Sequence, residues 1–302
     1  MTDNDTATLP GRRPGGRRAP AGTMTLVEHL RELRNRLLKA IVIVALGTVL
    51  GWLWYNHGLL HFLEKPYCQI PADRRYDSGG IGCKLIYTNV LDGFVTRLKI
   101  GAIAGIIVTS PLWLYQLWAF ITPGLKKNER RYTITFILLS TLLFLGGAAL
   151  AYLTLAKALD VLTGAAGSGT QALITISSYL GFLTSLLLVF GISFEFPLLI
   201  SMLNLVGILS FKRLMKSQRI IIFLVFVFAA IATPSQDPFT MCALAVPMCL
   251  LFELAVLFAY FHDKRKASES FEDIPDDEAS PLDLTPSSIE SAGSLDDDPE
   301  DR

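Results

Sequence analysis

Charged side chains are scarce over long parts of this sequence, although the chain of 302 residues carries 27 basic and 27 acidic residues. An ordinary soluble domain is excluded, because 51% of the residues are hydrophobic and the mean hydropathy is +0.44. The apolar residues form six blocks, which are Leu37–Tyr55, Ile100–Ile121, Thr133–Ala156, Tyr179–Val206, Ile220–Thr233 and Phe239–Phe261. At about 1.5 Å per residue, each of the first four can cross about 30 Å of hydrocarbon. The sequence therefore predicts an all-α, polytopic membrane protein with six transmembrane helices.

The sequence also lacks the short motifs that carry common catalytic chemistry. It has only 4 histidines, and it contains no pair of histidines around a glutamate, no phosphate-binding glycine loop and no serine nucleophile elbow. His57, His61 and Glu64 have helical spacing, but a fourth metal ligand is missing and Gly58 weakens any helix there. We therefore expect a protein that is not an enzyme and that needs no metal, no cofactor and no nucleic acid.

The formal net charge of zero conceals two charged tails. Residues 267–302 hold 13 of the 27 acids and only one base, Arg302, which leaves 26 bases against 14 acids in residues 1–266. The arginine pairs near the start are separated from the first apolar block by almost 20 residues, which is unlike a cleaved secretory signal. We expect a disordered basic cytosolic tail at 1–23, a membrane domain at 24–266 and a disordered acidic cytosolic tail at 267–302.

Basic residues between the apolar blocks indicate how the chain is oriented. They are dense on one side, in residues 31–39, 126–131, 212–219 and 264–266, and sparse in the second and third loops of the other side. The dense side is expected to be cytoplasmic, so six spans place both termini in the cytoplasm. Cys68 and Cys83 then share the first external loop, where a disulfide can form, although two free thiols remain an alternative.

Glu195 is the only charged residue between Tyr179 and Asn204, near the middle of the fourth block. A carboxylate at that depth costs at least ~2.5–3.5 kcal/mol on insertion scales, so an acid there is a candidate for function. The alternative is a carboxyl group that is protonated or paired with a neighbouring helix for packing alone.

An amphipathic helix is predicted just before the first span. Thr25 and Glu28 form a capping box, and Leu26, Leu30, Leu33 and Leu37 then recur at helical spacing. Glu32 on this helix and Glu129 in the first cytosolic loop are candidates for a docking surface. Alternatively, the helix is an interfacial anchor, and the acids only neutralise Arg34, Arg130 or Arg131.

The sequence resembles the TatC family of the twin-arginine protein translocase. The resemblance rests on motifs that occur in order between Leu26 and Phe261, which are His29–Arg34, Leu114–Phe120 leading to Pro123, Glu129–Arg131, Ser193–Pro197, Thr233-Pro234 and Asp237–Phe239. Lys126 departs from the family, whose members often carry an aromatic residue at this position.

The resemblance implies a receptor in a bacterial-type inner membrane that binds the paired-arginine signal peptides of folded cargo. It implies TatA/TatB-type single-span partner subunits, a homo-oligomer within the complex, contact with the lipid bilayer and energy from the proton gradient. The signal-peptide residues that it implies are Glu32, Glu129, Leu33, Arg34, Phe120 and Pro123. The intramembrane polar residues that it implies, for contact with partner helices, are Glu195, Thr233 and Asp237.

Two other functions use the same residues. A proton-coupled secondary transporter of a small solute would use Glu195 as its relay, although the two halves show no evident repeat of broken helices. A purely structural scaffold would need no exposed acid pair. We also expect short fifth and sixth crossings of about 14 residues each, which would place Glu253 at the cytoplasmic boundary. Alternatively, the sixth span runs to Phe261, and Glu253 snorkels or is paired.

Overall fold

A computed structural model describes residues 26–71, 83, 85–121, 130–165 and 172–272, with the side chains of 26, 130–133 and 267–272 left out. The helices are α1 (Leu26–Trp54), α2 (Leu59–Cys68), α3 (Asp92–Val108), α4 (Ser110–Ile121), α5 (Arg130–Gly164), α6 (Ile176–Ser193), α7 (Glu195–Leu205), α8 (Phe211–Ala232) and α9 (Pro238–Glu272). The described ranges contain no named strand, so the predicted all-α class is confirmed.

The helices account for the six predicted crossings. Five stretches are long and apolar enough to span a membrane, and they are Val27–His57, Ile134–Gly164, Ile176–Leu205, Phe211–Ala232 and Pro238–Lys266. The sixth is the pair of α3 and α4, which passes the same test together but is bent by 61°. The protein is therefore a polytopic helical membrane protein, as the sequence predicts.

Two of the three prolines inside the apolar blocks coincide with breaks in the helices. Pro111 is the second residue of α4, just after the bend at Thr109, and Pro197 is the third residue of α7, just after the break at Phe194. Proline fits the first turn of a helix because the N–H that it lacks would have no intrahelical partner there. Pro247 differs, since α9 continues through it as one helix.

The close packing of α1 against α3 depends on glycines in both helices. An added Cβ at Gly51 would lie 2.6 Å from the carbonyl oxygen of Gly101, and one at Gly105 would lie 2.5 Å from the backbone nitrogen of Thr48. Only residues without side chains permit such an approach of two backbones. The small-residue pair Gly101 and Gly105 is thus a helix contact surface.

A short helix and a disulfide cover one end of the bundle. Tyr152 of α5 and Tyr179 of α6 donate hydrogen bonds to carbonyl groups of α2, at Phe62 and Leu63 respectively. At the carboxyl end of α2, Cys68 is bonded to Cys83, the pairing expected from their shared loop. We call this the disulfide end of the bundle.

The last two helices extend beyond the predicted crossings of about 14 residues, and the length of each crossing stays a prediction. α8 has 22 residues and α9 has 35, and α9 passes Glu253 without interruption. The Glu253 carboxylate accepts a hydrogen bond of 2.6 Å from Gln218 of α8. Glu253 is therefore paired with a neighbouring helix, as the alternative interpretation of this residue expects. α9 also runs past residue 266 and ends at Glu272. Lys, Ala and Glu favour extension of a helix that is already formed.

Candidate functional site

Glu195 lies at a short interruption within the span Ile176–Leu205. α6 ends at Ser193 and Glu195 is the first residue of α7, while Phe194 between them keeps helical backbone angles and its N–H bonds to the Phe190 carbonyl. The Glu195 side chain is buried, with a relative exposure of 9%. An acid is therefore buried inside an apolar span, where it is costly unless it has partners.

Two further side chains connect this acid to neighbouring helices. The hydroxyl of Ser140 in α5 donates a hydrogen bond of 2.7 Å to Oε2 of Glu195. The indole N–H of Trp118 in α4 donates a bond of 2.7 Å to the Ser140 hydroxyl and also interacts with the Glu195 carboxyl group. Ser140 and Trp118 are almost completely buried. We call Trp118, Ser140 and Glu195 the buried acid cluster.

The buried acid cluster is not fully satisfied. Oε1 of Glu195 is buried and has no hydrogen-bond partner among the residues that the structure describes. The neighbouring side chains are apolar and include Leu114, Phe136 and Leu198. A buried acceptor without a partner costs about 1–3 kcal/mol, and more when it is charged. The site can therefore accept one further donor.

No pattern in the sequence predicts Ser140 and Trp118 as partners of Glu195. Trp118 belongs to one of the motifs on which the family resemblance rests, but nothing in the motif indicates its partner. Ser140 is one hydroxyl within an apolar block that also contains Thr141. The hydroxyl of Thr141 donates to the Ile137 carbonyl in its own helix. Sequence alone cannot distinguish these two kinds of hydroxyl.

Thr233 and Asp237 lie at the turn between α8 and α9, and neither is hydrogen-bonded to the buried acid cluster in the described part of the chain. The Thr233 hydroxyl donates to the Ala229 carbonyl at 2.9 Å. Asp237 caps α9, since its carboxylate accepts bonds from the backbone N–H and the hydroxyl of Thr240 at 2.8 and 2.6 Å. Burial alone would raise the pKa of Asp237, but hydrogen bonds from Ser235, Thr240 and the backbone together lower it below the ordinary value. Their role in partner contact stays a prediction.

The acidic surface predicted on α1 is present in part. Glu32 accepts two hydrogen bonds from Arg36, at 2.9 and 2.6 Å, and each side chain retains 26% exposure. Its ionic partner is therefore Arg36 and not Arg34, whose guanidinium contacts Asn35. Leu33 is exposed beside them.

The start of α1 lies against the end of α4. The ring of His29, one turn before Glu32, stacks on Phe120 with 4.5 Å between ring centres. This contact brings three predicted signal-peptide residues of α1, Glu32, Leu33 and Arg34, to the end of α4 where Phe120 lies. Pro123 and Glu129, which belong to the same prediction, lie outside the described residues.

Comparisons with known proteins agree on one family. The family model described as "Sec-independent protein translocase protein (TatC)" matches residues 28–247. A protein of that name from Frankia casuarinae is 47% identical over 268 residues, which are 86% of this chain and 73% of the relative. One from Escherichia coli is 36% identical over 242 residues, or 80% of this chain and 90% of the relative. The crystal structure of a twin arginine translocase receptor, TatC in DDM, is 30% identical with a TM-score of 0.62, covering 77% of this chain and 99% of that one.

Proposed function

Because this chain belongs to the TatC family of Sec-independent protein translocase proteins, we propose that it is the subunit that receives paired-arginine signal peptides of folded cargo. As a member, it is a membrane-embedded translocase component and not an enzyme. The reception of signal peptides is our proposal. We also propose that both termini are cytoplasmic, that the chain divides into 1–23, 24–266 and 267–302, and that the protein lies in a bacterial inner membrane. All relatives reported above are translocase proteins, so we do not propose the small-solute transporter.

The observation that carries the proposal is the position of Glu32 on α1. It is partly exposed, it lies one turn from the His29–Phe120 contact, and among the described residues its ion pair is with Arg36 of its own helix. An exposed ion pair between residues i and i+4 is worth only about 0.3–0.5 kcal/mol. A guanidinium from a signal peptide can therefore displace Arg36 at little cost. Arginine forms a bidentate bond with a carboxylate that lysine cannot form, which accounts for a preference for arginine.

The buried acid cluster supports a second part of the same proposal. A single-span subunit of the TatA or TatB type would insert a helix beside α7, and a polar side chain of that helix would donate to Oε1 of Glu195. This bond would remove the unsatisfied acceptor, so it would favour assembly. The cluster has no direct bond to Glu32, which suggests that cargo capture and partner assembly are separate steps. Energy for export would come from the proton gradient.

The test is capture of a signal peptide by variants of Glu32, Glu129 and Arg36 in native membranes. Glu32→Gln and Glu129→Gln should each lower crosslinking of a paired-arginine signal about ten- to a hundredfold, since charge-assisted bonds are worth about 1.5–3 kcal/mol. Arg36→Gln is the matched control, because it breaks the same ion pair but leaves the Glu32 carboxylate. It should retain capture. If Glu32 served only to hold Arg36, the two variants would behave alike.

A signal in which both arginines are replaced by lysine tests the chemistry of recognition. It should bind the wild-type protein weakly, and it should lose little more when Glu32 and Glu129 are both replaced by Gln. A lysine penalty that persists undiminished in this double variant would show that other residues recognise the arginines. Equal amounts of folded variant protein in the membrane are the required control.

A further inference from the structure

Arg97 is a charged residue just before the second apolar block, and the proposed function does not use it. It lies in α3, five residues after Asp92, at the disulfide end of the bundle. Its guanidinium carbon lies 4.9 Å from the ring centre of Trp52 and 5.2 Å from that of Tyr55. Within the described residues, no other cation is stacked on an aromatic ring. The rings hold the guanidinium group in place without neutralising its charge.

The charge of Arg97 has no carboxylate partner in the described part of the chain. The guanidinium makes one long contact, 3.4 Å from an Nη to the carbonyl oxygen of Trp52, and its Nε is buried without any partner. Glu64 of the neighbouring α2 is not within ion-pair distance, and burial raises the pKa of its carboxyl group, which favours the neutral form. A cation at membrane level is costly unless it is paired. One further anion would complete the site.

The surroundings of Arg97 indicate where this anion comes from. Phe94 packs edge-on against Trp52 at 5.3 Å and is 62% exposed, and Val90 and Leu91 before it are also exposed. A second tyrosine, Tyr87, lies near Tyr55. Tryptophan and tyrosine gather at the level of lipid headgroups, and exposed apolar residues beside them are covered by acyl chains. Phosphate is the anion available at that level.

We propose that Arg97, held between Trp52 and Tyr55, binds the phosphate of an anionic phospholipid whose acyl chain covers Phe94, Val90 and Leu91. The planar guanidinium offers two parallel N–H donors to a phosphate, a geometry that an ammonium group lacks. The inference goes beyond the proposed function. The proposed orientation decides only which leaflet contains the bound lipid. With both termini in the cytoplasm, that leaflet is the outer one.

The test is native mass spectrometry of the delipidated full chain with added lipid. Wild-type protein should bind phosphatidylglycerol about tenfold more tightly than phosphatidylcholine, a difference of about 1.4 kcal/mol. Arg97→Gln should remove this preference, and Arg97→Lys should retain only part of it. Lys157→Gln is the matched control, because it removes one positive charge from an exposed position in α5 that carries no stacked ring. It should leave the preference unchanged.

Each outcome bears on the proposal. Equal binding of the two lipids by the wild type would overturn it without any variant, so the test does not depend on the folding of Arg97→Gln. Equal loss in Arg97→Gln and Lys157→Gln would indicate a diffuse charge effect and would overturn it as well. Glycerol phosphate is added as a competitor. If it displaced the lipid completely, the site would bind soluble phosphates and the lipid assignment would be wrong.

Discussion

Removal of the Ser140 hydroxyl tests whether the buried acid cluster acts as a unit. In Ser140→Ala, Oε2 of Glu195 loses a donor at 2.7 Å and Trp118 loses an acceptor at the same distance. A buried polar group left without its partner costs about 1–3 kcal/mol, and bonds to charged groups lie at the upper end. We therefore expect Ser140→Ala to lower the free energy of unfolding by about 2 kcal/mol.

The adjacent residue provides the control. Thr141→Val removes a hydroxyl that bonds only to Ile137 of its own helix, so its effect should lie within about 0.5 kcal/mol. Both variants are measured by thermal unfolding in detergent, together with export of a folded reporter in cells. Ser140→Ala should reduce crosslinking to a single-span partner while capture of the signal peptide persists. Equal destabilisation by the two variants would refute a special role for Ser140.

A double-mutant cycle gives the coupling directly. If Ser140 acts through the Glu195 carboxylate, the cost of Ser140→Ala should shrink in a Glu195→Gln background by about 0.5–3 kcal/mol. Additive costs would mean that the two residues contribute independently, and the observed hydrogen bond would then carry no energy specific to the acid.

Two predictions concern the fold around this site. Gly147→Ala should cost about 1–3 kcal/mol, because its Cβ would lie 2.6 Å from the Phe190 carbonyl oxygen. Gly146→Ala, with nothing within 4 Å, should be neutral or stabilising in the same unfolding assay, and equal effects would contradict the α5–α6 packing. Asp237→Ala should lower stability by about 0.5–2 kcal/mol at neutral pH. Since the folded pKa of Asp237 is below its ordinary value, its contribution is present above about pH 4 and is lost as the pH falls through the folded pKa. When unfolding is measured from neutral to acidic pH, the wild-type protein should lose this contribution as the pH falls. Asp237→Ala should show no such loss, because it lacks the carboxylate.

The crossings could be predicted from the sequence because hydrophobic blocks and proline positions are local signals. Pro111 and Pro197 lie inside apolar blocks, and each helix break occurs within three residues upstream of the proline. The partner of Glu253 was less predictable. Its hydrogen bond with Gln218 joins two helices and depends on tertiary packing.

The chemistry of the site was only half predictable. A lone acid such as Glu195 is conspicuous in an apolar block, because its cost depends on residue type and depth alone. Its donor Ser140 is 55 residues away in the sequence, and only the packing of α5 against α7 brings the two together. The partner of Glu32 was mistaken for a nearer arginine. Spacing of i to i+4 on one helix face favours Arg36 over Arg34, so the signal was present in the sequence.

Two acids in the structure, Glu195 and Asp237, differ in how fully their carboxylates are hydrogen-bonded. Glu195 opens α7, and Asp237 immediately precedes α9 and caps it, so both stand at a helix start with a proline nearby. Both oxygens of Asp237 are bonded to Thr240, which accounts for the residue as a cap. Glu195 has one oxygen bonded to Ser140 and one oxygen with no partner in the described chain. A packing role alone would favour the fully satisfied arrangement. The unsatisfied oxygen is therefore the stronger reason to expect that a partner helix meets the chain at Glu195.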